Sequence, residues 1–84
     1  MGEVTQEVRE RVKVLASFTN FKITIHFFSW RDRTYKIDSM NLFHIERDGK
    51  RLIYNFAVSS NGNSYQLTFD PITLEWQLKG VVEI

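Results

Sequence analysis

The sequence predicts an all-β domain, a strongly curved antiparallel meander of five to six strands whose limiting form is a small closed barrel. Three observations carry this. Short turn signals recur along the chain, large apolar residues alternate with polar ones between them, and the aromatic complement is high. Seven Phe, three Tyr and two Trp in 84 residues supply enough large side chains for one modest core. At 43% hydrophobic, with a net charge of +1, the chain lies far from the composition of a disordered segment. A single domain over residues 1–84 is expected.

The N-terminal segment reads two ways. Val4, Val8, Val12 and Leu15 fall at helical spacing, whereas Val12, Ala16 and Phe18 alternate as a strand, the state valine favours. The reading adopted is a short or frayed helix over 1–9 and a strand over 11–18. Next comes "SWRDRTYKI", residues 29–37. Placing Arg31-Asp32 at the centre of a two-residue turn pairs Trp30 with Arg33, Phe28 with Tyr35 and His26 with Ile37. Asp tolerates the left-handed backbone that such a turn needs, though less well than Gly. The segment 33–47 is long for one strand, so a bend or bulge is expected near Ser39-Met40-Asn41.

Three further turns set the register. Asp48-Gly49 and Asn61-Gly62 are strong hairpin signals, because a type I′ turn needs positive φ at both central residues. Asp70-Pro71-Ile72-Thr73 reads as a four-residue connection with proline at its second position. The first turn sets Ile45 opposite Leu52 and Phe43 opposite Tyr54. The second sets Val58 opposite Tyr65, Phe56 opposite Leu67 and Tyr54 opposite Phe69. The third sets Phe69 opposite Leu74, Leu67 opposite Trp76 and Tyr65 opposite Leu78. All three turns put the large apolar residues on one face, which a one-residue slip would have scattered. The other face reads Asn55, Ala57, Ser59, Ser64, Gln66, Thr68, Glu75, Gln77 and Lys79, as in a sheet wet on one side.

The front hairpin departs from this pattern. On its second face Ile23, Ile25 and Phe27 meet Met40 and Leu42, more apolar surface than a monomer leaves wet. Either the N-terminal segment covers this patch or a partner does.

Chemistry finds little purchase. The chain has no cysteine, which removes disulfides, thiolate metal ligands and thiol nucleophiles and suits a reducing, cytoplasmic setting. No apolar run approaches a membrane span, and the first residues carry no secretory h-region. His26 and His44 have no partners at metal-ligand spacing, and both read as hydrogen-bonded structural histidines. Glu46, Asp48, Asp70 and Glu75 fall in turns or on the wet face, not in the apolar pocket that raises a carboxyl pKa for acid catalysis. Ser59, Ser60 and Ser64 flank a turn with no histidine at hand, and no glycine-rich phosphate loop exists. Neither an enzyme nor a cofactor is expected.

Two binding classes remain. The first is a non-enzymatic interaction module, a homodimer or a partner of another protein, using Ile23, Ile25, Phe27, Met40 and Leu42 or an unpaired edge strand. The alternative is a single-stranded nucleic-acid binder in which Arg31 and Arg33 contact phosphate while Trp30 or Tyr35 stacks a base. The alternative is disfavoured. Arg47, Lys50 and Arg51 belong to a turn at the opposite end of the meander, acids sit within both basic clusters, and the net charge is nearly balanced.

The run Trp30-Arg31-Asp32-Arg33-Thr34-Tyr35-Lys36-Ile37, followed by Phe56-Ala57-Val58, Tyr65-Gln66-Leu67 and Trp76-Gln77-Leu78, resembles small uncharacterised bacterial β domains. Their pattern is W-x-G-R-x-Y-x-V, then Y-x-L and W-x-L. The similarity covers residues 27–80, with Asp32 standing where the pattern has glycine. It implies the β fold and brings no reaction with it.

Overall fold

Strand follows strand because alternating apolar residues are broken only by two- to four-residue turns. The computed structural model describes residues 3–83, which form β1 (Glu3–Arg11), β2 (Lys13–Thr19), β3 (Lys22–Trp30), β4 (Arg33–Lys36), β5 (Ser39–Asp48), β6 (Arg51–Ser60), β7 (Asn63–Asp70) and β8 (Glu75–Glu83). They make two antiparallel sheets, one in the order β1-β8-β7-β6-β5 and one in the order β2-β3-β4. Among the described residues no helix is long and apolar enough to cross a membrane.

Two corners carry the chain between the sheets. At Val12 it leaves the five-stranded sheet for the three-stranded one, and at Ile37-Asp38 it returns. Main-chain bonds pin both places: Val12 N–H to the Trp76 carbonyl, 3.1 Å, Ile37 N–H to that of His26, 3.0 Å, and Asp38 N–H to that of Ser59, 2.8 Å. The ladder is interrupted at these corners, so the curved meander is a pair of packed sheets and not a closed barrel.

The helix expected over 1–9 is replaced by β1 over residues 3–9, while residues 1 and 2 lie outside the described residues. A nine-residue helix is marginal alone, and β8 offers this valine-bearing segment a full ladder instead. Of the strand expected over 11–18, residues 13–18 are found in β2, while Arg11 ends β1 and Val12 is the corner between them.

Register follows the turns with two one-residue corrections. The Arg31-Asp32 and Asn61-Gly62 hairpins pair as expected, with positive φ at all four central residues. The third hairpin turns on Gly49-Lys50, giving Ile45 opposite Tyr54 and Phe43 opposite Phe56. Only its first central residue, Gly49, has positive φ, +62°, the pattern of a type II′ turn. The fourth turn closes one residue later than expected, so Phe69 faces Trp76 and Leu67 faces Leu78. Next to each turn the correction moves a partner by two positions, which keeps side chains on their expected faces. Farther along, an extra residue in β8, Lys79, sets Tyr65 opposite Val81 where Leu78 was expected.

Bulges, in contrast, change faces. In β3, Leu15 pairs with Phe27 but Ala16 with Ile25, so His26 is an extra residue. Ile25 and Phe28 therefore both enter the core, at 3% and 0% exposure. In β5 the extra residue is Asn41, since Met40 pairs with Val58 and Leu42 with Ala57, within the stretch where the sequence predicts a bulge. The second apolar face read from the sequence is thus divided. Ile23, Ile25 and Met40 pack on the core, while Phe27 and Leu42 remain exposed outside it.

The core lies between the sheets, where Ile25 and Phe28 meet Phe56, Val58, Tyr65, Leu67, Phe69 and Leu78. Phe28 stacks on Tyr35 with ring centres 4.8 Å apart and meets Tyr65 edge-on at 5.2 Å. Trp76 lies 4.5 Å from Phe69 and 5.5 Å from Phe56. Among the described residues Phe28 is the one fully buried large side chain that the smaller sheet contributes. Phe28→Ala is expected to cost about 3–5 kcal/mol, read from urea denaturation; a loss under about 1 kcal/mol would mean that the two sheets do not depend on this contact.

Candidate functional site

Sheets of unequal size leave part of the larger one bare. The smaller sheet has three strands, and β4 runs for only four residues before the chain departs as β5. Between the first half of β3 and β5 the two sheets diverge, leaving a cleft of about 890 Å³. Its walls include Phe21, Ile23, Ile25 and Phe27 on one side and Met40, Leu42, Phe43 and Ile45 on the other, with Tyr54 and Phe56 also lining it. All five residues of the predicted apolar patch thus come together around one cleft, although they do not share one face.

Sequence reasoning missed Phe21, Phe43 and Ile45 as members of this site. It places Phe43 and Ile45 on the core face, which is correct, but their exposures of 47% and 52% show that nothing lies over them. The sequence carried no signal for this, since 33–47 reads there as one long strand and the end of β4 at Lys36 is seen only in the structure.

The strand edges that flank the cleft are unpaired. Where β4 ends, the Ile25 N–H finds only the Met40 thioether, 3.4 Å away, a weak acceptor. On the far side β5 is the last strand of its sheet. Polar contacts brace the lower rim. Ser39 Oγ donates to Asn41 Oδ1 (2.9 Å), Asn41 Nδ2 donates to Ser59 Oγ (2.6 Å), and Asp38 accepts the Asn61 N–H (2.9 Å). Lys22 and Lys36 also line the cleft.

The front hairpin is arranged differently. Trp30 Nε1 donates to Glu10 Oε1 at 3.1 Å and Arg31 donates to Glu10 Oε2 at 2.7 Å. The Arg31 guanidinium also lies over the Trp30 ring, 4.7 Å from its centre. These donors hold the Glu10 carboxyl below its ordinary value, the Arg31 hydrogen bond foremost and that of Trp30 next. Tyr35 is taken up by Phe28 and Tyr65, and Arg33 lies 6.0 Å from the Tyr35 ring. Of the four residues named for nucleic acid, Trp30, Arg31 and Tyr35 are therefore already engaged within the chain. Only the Arg33 side chain of this group keeps its charge unpaired among the described residues.

Neither histidine stands alone. His26 Nε2 hydrogen-bonds with Ser17 Oγ at 2.7 Å, and His44 Nε2 with Glu46 Oε1 at 3.1 Å. No group of three or more metal-ligating side chains converges among the described residues. Asp70 is fixed as a turn cap. Its Oδ1 accepts the N–H groups of Ile72 (2.8 Å) and Thr73 (3.2 Å), and its Oδ2 accepts Arg51 at 2.7 Å. The Arg51 hydrogen bond, and after it the Ile72 N–H, push its pKa down. A carboxylate surrounded by donors is held as an anion, the reverse of what a general acid needs. Comparison of the chain with family models, curated proteins and solved structures gives no match.

Two measurements test these assignments. The folded-state pKa of Asp70 lies below its ordinary value, so its contribution to stability is full above that value and fades as pH falls through the lowered one. Asp70→Asn should therefore unfold at lower urea than the native chain at pH 6, and the gap should narrow steadily in acid; a gap independent of pH would contradict the capping role. For the hairpin, a labelled oligothymidine should show no salt-sensitive gain in fluorescence anisotropy. Binding that falls steeply with salt and disappears in Arg31→Ser/Arg33→Ser would establish the nucleic-acid reading instead.

Proposed function

We propose that this protein is a non-enzymatic interaction module that self-associates through the uncovered edge of β5 and the apolar cleft beside it. The observation that carries this reading is the contrast between the two edges of the five-stranded sheet. β1 is interrupted by register shifts between Val4 and Gln6 and between Glu7 and Glu10, and Arg9 sits at φ +54°. It is also charged, with Glu7, Arg9, Glu10 and Arg11 in its second half. Bulges and charges are the means by which sheets prevent edge-to-edge pairing. β5 has one bulge, at Asn41, and its charged residues, Glu46, Arg47 and Asp48, are gathered at its turn end. From Leu42 to Asp48 its ladder to β6 is uninterrupted, and Leu42, Phe43 and Ile45 are exposed along it.

Phe21 adds independent support. It occupies the Asn20-Phe21 turn at φ +64°, where glycine is preferred and a bulky residue is strained. Its ring is fully exposed at the cleft. A large apolar side chain kept in an unfavourable backbone state, with its ring left in solvent, points to a role outside the fold. The motif resemblance to small bacterial β domains and the absence of cysteine accord with a cytoplasmic binding module.

Sedimentation velocity at rising protein concentration tests the reading. The native chain should move from monomer toward dimer, and Ile45→Lys should remain monomeric. Phe21→Gly should weaken association while stabilising the monomer by about 1 kcal/mol. A native chain that stays monomeric at millimolar concentration would overturn the proposal.

A further inference from the structure

The partner is a second copy of this chain, and the structure assigns its register: β5 pairs antiparallel with β5 of the second copy about a two-fold axis that passes beside Ile45. This rests on the self-association proposed above and specifies how it occurs.

The backbone supplies the first half of the argument. A two-residue hairpin closes on a pair that exchanges both main-chain hydrogen bonds, and such pairs recur at every second position. From Asp48–Arg51, the β5 residues bonded to β6 are Asp48, Glu46, His44 and Leu42. The β6–β7 hairpin agrees, since closure at Ser60–Asn63 leaves the odd-numbered residues of β6 to serve β5. The N–H and C=O groups of Phe43, Ile45 and Arg47 therefore point away from the sheet. A two-fold axis at Ile45 uses all three, pairing Ile45 with its own copy and Phe43 with Arg47 of the other chain in both directions. An axis at Phe43 would run into the Asn41 bulge.

Side-chain complementarity supplies the second half. With the axis at Ile45, each His44 lies opposite Glu46 of the second copy at a non-hydrogen-bonded position, where cross-strand side chains come closest. The two side chains are already complementary partners within one chain, 3.1 Å apart and each about half exposed. An axis at His44 would instead set His44 against itself and Leu42 against Glu46. One at Glu46 would oppose two carboxylates. Only the Ile45 axis sets like against like solely at an apolar residue and the His44 imidazole against the Glu46 carboxylate, groups already hydrogen-bonded within one chain. The sheet then runs through ten strands, and on its core side the apolar linings of two clefts lie next to each other.

The chain has no cysteine, so single-cysteine variants report the register cleanly. Paired Cα atoms at Ile45 would lie about 5.5 Å apart, within reach of a disulfide, whereas the two copies of residue 44 would be offset by about 7–8 Å, beyond it. Under mild oxidation Ile45→Cys should cross-link fast and His44→Cys slowly. His44→Glu should raise the dissociation constant about tenfold, and His44→Glu/Glu46→His should restore it, since the exchanged pair meets again across the axis. Dimers in which His44→Cys cross-links faster, or in which the double exchange fails to rescue, would overturn this register and leave self-association standing. A native chain that remains monomeric at millimolar concentration would overturn both.

Discussion

The fold depends on one extra residue. His26 interrupts the two-residue alternation of β3, and without that interruption Ile25 and Phe28 would point to opposite faces. With it, both enter the same core, and the smaller sheet gains an apolar face broad enough to lie on the larger one. The second bulge, at Asn41, does the same for β5, bringing Met40 to the side of Val58 and Phe43 to the side of Phe56. A bulge also sharpens local twist. Both sit close to the corner at Ile37-Asp38, where the chain passes between sheets and the Ile37 and Asp38 N–H groups are satisfied across the gap.

This explains which parts of the fold are legible in the sequence. Turn chemistry is local: Asn61-Gly62 and Arg31-Asp32 each carry the left-handed backbone in their own residues, so their registers follow directly. At Gly49 and after Pro71 the turn slides by one residue, and the core assignment survives because a slide of the turn centre preserves parity. A bulge does not preserve it. Whether His26 is skipped depends on what β2 and β4 require on either side, information that is not written near residue 26. The patch of Ile23, Ile25, Phe27, Met40 and Leu42 is therefore recognisable as excess apolar surface while its division between core and cleft is not. The N-terminal helix fails for a related reason. β8 needs a partner along its free side, and a nonlocal ladder outweighs a local periodicity.

The cleft is the geometric remainder of the same arrangement. β4 ends at Lys36 so that the chain can cross over, and beyond that point the larger sheet has no roof. Phe43 and Ile45 stay on the core side yet are half exposed, and the Ile25 N–H is left with a thioether for an acceptor. A small domain has little stability to spare. An uncovered apolar edge at this place is a cost that the opposite edge strand, β1, shows how to avoid, since its bulges and charged side chains disarm an edge of similar length. The hairpin of Trp30 and Arg31 makes the same point in reverse. Glu10, reaching over from β1, closes it from the outside.

An exposed edge strand ordinarily invites open-ended growth, because each added sheet presents a new edge for the next. In the proposed dimer the two edges of the larger sheet differ enough to stop this. Pairing β5 with its own copy is isologous, so one contact consumes the regular edge of both chains at once. What remains outermost on each side is β1, bent by two register shifts and lined with Glu7, Arg9, Glu10 and Arg11. A third copy would have to pair its β5 with that irregular edge and bury carboxylates and guanidiniums in doing so. The Arg9–Glu7 and Arg11–Glu75 ion pairs already satisfy part of the charge there, further reducing what an incoming strand could gain. On this proposal assembly would close at two copies, because the asymmetry between β5 and β1 would make pairing through the edges of the larger sheet finite.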